Sequence, residues 1–97
     1  MNTYIYVLKL SERLYDDQAW TTFDNEVVND HFMRIKKDFE SGKILHVGRT
    51  EDPTNGGFGL VVFKAKSLDE AMLYMNTDPA VIHKQMTATL YPYKHIL

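Results

Sequence analysis

Apolar residues alternate along the first strand-like stretch, Thr3 to Leu10, with Tyr4, Tyr6, Leu8 and Leu10 on one side and Ile5 and Val7 on the other. Its β-branched and aromatic content predicts a strand buried on both faces. Ser11 to Trp20 is polar with scattered Leu14, Tyr15 and Trp20, and reads as a loop or a short helical turn. A helical period then sets in. The helix begins near Thr22 or Asp24, either of which can cap it, and ends at Ser41-Gly42, where glycine supplies the left-handed turn. Val28, Phe32, Ile35 and Phe39 form its predicted apolar face.

Lys43 to Thr50 predicts a second strand, Glu51 to Gly57 a hairpin connection, and Phe58 to Ala65 a third strand. Ser67 with Glu70 is a capping-box pattern that opens a second helix, with Leu68, Ala71, Met72 and Met75 as its inner face. That helix stops before Pro79. A short irregular or helical piece runs to about Lys84, and Gln85 to Ile96 predicts a fourth strand, placed at an edge or ending early because of Pro92. The order β-α-β-β-α-β is the split βαβ arrangement, a four-stranded antiparallel sheet with two helices on one face, and residues 1–97 form a single domain. The strands are apolar on both sides, so the face without helices needs a cover. A second copy of the same sheet is the simplest one, which predicts a homodimer through the sheet faces.

The composition narrows the function classes. Lys and Arg number 11 against 13 Asp and Glu, a net charge of −2, so a nucleic-acid partner is not expected. The absence of cysteine removes disulfides, thiolate nucleophiles and zinc-thiolate sites, and fits a cytoplasmic setting. Neither a signal peptide nor a membrane span is expected. No two histidines stand at the i, i+4 spacing that puts both on one helix face, so no metal is predicted. Gly56 to Gly59 leads into a strand and not a helix, which removes the phosphate-cradle reading. Ser and Thr lie in no nucleophile-elbow pattern.

His31 on the first helix, Gly42 at its end, Gly48-Arg49-Thr50, Gly57-Phe58-Gly59, Asp78-Pro79-Ala80-Val81, Met86-Thr87-Ala88 and Tyr91-Pro92-Tyr93 follow one another in an order and spacing that resembles the YCII-related proteins. The likeness runs from about Trp20 to Tyr93. It implies a ferredoxin-like fold of the dimeric α+β barrel type, and a cleft beside the sheet where His31 and Asp78 meet as a catalytic pair. It also implies activity on small, often aromatic or cyclic compounds, including dehydrochlorination of a chlorinated hydroxyquinol. This chain departs from the pattern in two places. Many members carry Arg three residues before the His, where Val28 stands here, and Gly near the start of the last strand, where Lys84 stands. An anionic substrate group would then turn to Arg49.

A carboxylate beside one ring nitrogen of His31 fixes the tautomer and leaves the other nitrogen for proton transfer near neutral pH. The competing reading is structural: a neighbouring carbonyl satisfies His31, and Asp78 before Pro79 caps a turn. His46 shares a face with Ile44 and Gly48 by alternation, and stands as a candidate substrate contact against a structural role. Tyr6 is a candidate of the same kind, its hydroxyl offered to a ligand, although strand aromatics are more commonly core or interface. The leading reading is a small cofactor-independent enzyme in which His31, oriented by Asp78, moves a proton on a small organic substrate. The alternatives are a non-catalytic dimeric small-molecule-binding or assembly module, and monooxygenase-like activity on the same barrel.

Overall fold

In the computed structural model, which describes residues 1–97, strand β1 (Asn2–Leu10) lies inside the sheet between β3 (Gly59–Ala65) and β4 (Met86–Pro92). Strand β2 (Ile44–Arg49) pairs with the far side of β3, which gives the order β2-β3-β1-β4 with every pairing antiparallel. Helix α1 (Thr22–Glu40) precedes β2, and α2 (Leu68–Asn76) and the one-turn α3 (Pro79–Ile82) precede β4. This is the ferredoxin-like α+β fold with helices on one face of the sheet. The segment between β1 and α1 forms two single-turn 3₁₀ helices, Glu12–Tyr15 and Asp17–Ala19, anchored by the buried Leu14. No helix is long and apolar enough to cross a membrane.

The alternation in β1 puts Tyr4, Tyr6 and Leu8 under the helices. Tyr6 sits opposite Val61 and Leu90, and its ring meets Phe63 edge-on at 5.6 Å. Ile5, Val7, Leu60, Val62 and Tyr91 fall by register on the other face, which no helix covers. Strand β4 is the edge the sequence predicts, but it ends at Pro92 and not at Ile96. Proline has no N–H with which to continue a ladder.

Helix α1 departs from its sequence expectation. Its N-cap is Thr21, whose hydroxyl accepts from the Asp24 N–H while the Asp24 carboxylate accepts from the Thr21 N–H. The buried stripe is Asp24, Val27, His31 and Ile35, and Phe32 and Phe39 are 50% and 53% exposed. Two polar residues lie on the inward side because each has partners there. Arg13 grips Asp24 with two hydrogen bonds of 2.8 Å, and the Gln85 amide donates to it as well. Those bonds, the guanidinium's first, hold the Asp24 carboxyl well below the usual carboxylate range. In α2 the inner face is Ala71, Tyr74 and Met75, whereas Leu68 and Met72 are exposed. Tyr74 takes the inner place by packing its ring on Phe63 at 4.9 Å while its hydroxyl reaches the Asp38 carboxylate.

The hairpin between β2 and β3 is built by its own side chains. The Asp52 carboxylate accepts from the N–H and the hydroxyl of Thr54, and Asn55 and Gly56 take φ of 49° and 90°. A Cβ on Gly57 would stand 2.0 Å from the Asp52 carbonyl oxygen, so only glycine fits there.

Candidate functional site

Asp78 follows the last turn of α2 and precedes Pro79, a position that favours the extended backbone it adopts (φ −62°, ψ 125°). As the N-cap of α3, its Oδ1 accepts from the Ala80 N–H at 3.0 Å. The same carboxylate faces the third turn of α1. There His31 places Nδ1 at 2.7 Å from Oδ1 and 2.8 Å from Oδ2, and from β1 the Tyr6 hydroxyl donates to Oδ2 at 2.9 Å. Asp78 is 0% and His31 2% exposed. The capping role and the histidine contact, weighed above as alternatives, coexist on one carboxylate.

Burial alone would push the Asp78 carboxyl up. The hydrogen bond and charge of His31, the Tyr6 hydroxyl and the Ala80 N–H outweigh it and hold the carboxyl below its ordinary value. The Tyr6 phenol moves the other way, raised by burial first and by the Asp78 charge second, so it remains a donor throughout the physiological range. An ionised carboxylate only accepts. Neutral His31 therefore carries its proton on Nδ1, and Nε2, to which no protein group bonds, is the basic nitrogen.

His31 also forms part of the wall of a cavity of about 200 Å³ between α1, the sheet and the β2–β3 hairpin. Leu8, Ile35, Val61, Phe32, Phe58 and Met86 supply most of the rest, and the Phe32 ring stands edge-on to the imidazole at 5.0 Å. The arrangement joins a buried, carboxylate-held imidazole to an apolar hollow.

The other sequence candidates are distributed unevenly around this cavity. Arg49 is at its exposed rim. Tyr6, expected to offer its hydroxyl to a ligand, bonds Asp78 and is absent from the cavity wall, because alternation carries its side chain into the core. His46 does not share a face with Ile44. A bulge at Leu45 shifts the register, so that Ile44 opposes Phe63 under the helices and His46 opposes Val62 on the uncovered face. There it lies against Gly48, outside the cavity wall. Phe58 and Met86 were not singled out by the sequence reading as site residues; nothing in their local pattern separates a cavity wall from a core position.

No family model matches the chain, and no curated protein matches it in sequence. Among solved structures it is similar to the 5-chloro-2-hydroxyhydroquinone dehydrochlorinase TftG from Burkholderia phenoliruptrix AC1100, in complex with 2,5-dihydroxybenzoquinone. The TM-score is 0.63 at 17% identity, over 96% of this chain and 94% of that one. At that identity the likeness establishes a shared fold and no more.

Proposed function

We propose that this chain is a small cofactor-independent acid–base enzyme of the YCII-related kind, in which His31, oriented by Asp78, moves a proton on a small cyclic or aromatic substrate. The observation that carries this reading is the double contact of His31 Nδ1 with Asp78 at the wall of an apolar cavity. In the proposed step, Nε2 takes a proton from an activated C–H, and the electron pair of that bond passes into the adjacent carbonyl or ring. The pair then returns either to expel a neighbouring leaving group, chloride for a chlorinated ring, or to accept the proton back at another position. Asp78 stabilises the imidazolium formed in between, and the apolar wall keeps competing water away from it. The enzyme acts in the cytoplasm as a homodimer, with the faces bearing Ile5, Val62 and Tyr91 packed on one another.

The test is a panel of chlorinated and hydroxylated single-ring compounds in deuterated water, followed by NMR for chloride-releasing turnover and for C–H exchange. At least one compound should react with the wild type, with the rate reduced about a hundredfold to ten-thousandfold in His31→Gln. Undiminished turnover in His31→Gln would remove the reading.

A further inference from the structure

The cavity wall contains two polar side chains, His31 and Arg49; every other lining residue is apolar or glycine. Arg49, the last residue of β2, donates from Nη1 to the carbonyls of Thr50 at 2.9 Å and Glu51 at 2.8 Å. These bonds pin the guanidinium at the start of the hairpin without neutralising it. No carboxylate lies within ion-pairing distance of Arg49. The other two arginines are differently occupied: Arg13 is paired with Asp24, and Arg34 lies 4.1 Å above the Tyr74 ring and donates to the Tyr74 carbonyl. Arg49 alone presents a full positive charge, with Nη2 and Nε uncommitted, beside an apolar hollow.

We infer that Arg49 is the specificity-determining residue of this cavity, and that it selects a compact organic monoanion whose apolar body is no larger than about one six-membered ring. The size limit follows from the volume of about 200 Å³, since an apolar cavity of about 150 Å³ holds benzene. The polarity follows from position. A carboxylate or comparable anionic oxygen on the exposed rim keeps part of its hydration while it meets the guanidinium fork. The apolar body then lies against Phe58, Ile35 and Met86 and points inward toward His31. The inference rests on the enzymatic reading for what happens to such a ligand, but its binding is independent of any reaction.

The experiment titrates the full chain with benzoate and with its neutral isostere benzamide, following His31 and Met86 signals by NMR. In the wild type, benzoate should shift both signals and bind at least tenfold more tightly than benzamide. In Arg49→Gln, benzoate should fall to the level of benzamide while benzamide is unchanged, and Arg49→Lys should recover part of the preference. Equal binding of the two probes, no benzoate binding, shifts away from the cavity, or equal weakening of both probes in Arg49→Gln would each overturn it. Retained benzoate preference in a His31→Gln protein without turnover would separate this inference from proton transfer: the selectivity would stand whether or not the chemistry does.

Discussion

His31 and Asp78 lie 47 residues apart in sequence, yet both carboxylate oxygens come within 2.8 Å of one imidazole nitrogen. A ring gripped at Nδ1 by a carboxylate that only accepts has its tautomer decided. Nitrogen-15 spectra of the wild type at a pH where His31 is neutral should show a protonated Nδ1 and a bare Nε2. Asp78→Asn, which replaces an acceptor-only group with one that also donates, should mix the tautomers. A wild-type ring protonated at Nε2 would contradict the geometry.

Removing the carboxylate altogether strands three partners. Asp78→Ala leaves the Tyr6 hydroxyl, the Ala80 N–H and His31 Nδ1 without an acceptor in the interior. The expected cost is about 3–5 kcal/mol in urea denaturation. A simultaneous His31→Ala should add less than its separate cost, because the two changes delete one interaction.

Tyr6→Phe keeps the ring packing on Phe63 and deletes one donor to Asp78. Stability should fall by about 1.5–3 kcal/mol. The Asp78 carboxyl, followed by carbon-13 NMR, should titrate at higher pH than in the wild type, since the lost bond is one of those that lower it.

Acid should unfold the protein through Asp24 and Asp78 in particular. Both are held below the ordinary carboxylate range, Asp24 by the Arg13 guanidinium first, and Asp78 because its hydrogen bonds outweigh its burial. The unfolded chain therefore takes up protons before the native one does. The contribution of each is complete above the unfolded value of about 3.9 and disappears as pH falls through the native value. Denaturation midpoints should be level near pH 6 and drop steeply below about pH 4. Asp24→Asn should be less stable at neutral pH and show a shallower drop.

Tyr91 is half-exposed on the uncovered face, opposite Ile5. Light scattering at micromolar concentration should give the wild type twice the 11.3 kDa chain mass. Tyr91→Glu puts a charge in the proposed sheet-to-sheet contact, and should yield a folded monomer. A wild-type monomer would remove the dimer from the proposal.

The order of elements was legible because each is marked by a local signal: the two-residue period of Thr3 to Leu10, the glycine at position 42, the Ser67 and Glu70 box, and Pro92. The rotation of α1 was not. An apolar-stripe argument assigns Phe32 and Phe39 inward and leaves Asp24 and His31 out of the stripe, and it fails where a polar side chain has a buried partner far along the chain. The face of His46 was lost to a single extra residue at Leu45, which strand alternation cannot register. Tyr6 was placed correctly as a strand aromatic, but its hydroxyl partner is 72 positions away, and no spacing rule connects them.

Asp78 both caps α3 and holds His31, so the two demands on it cannot be relaxed separately. A descendant without the proposed proton transfer would still need the aspartate to start α3 and to satisfy Tyr6, and a donor from α1 to answer the buried carboxylate. Among such descendants an Asp-Pro kept with a different α1 donor in place of the histidine would mark lost chemistry, because folding asks for the hydrogen bond and only proton transfer asks for the imidazole.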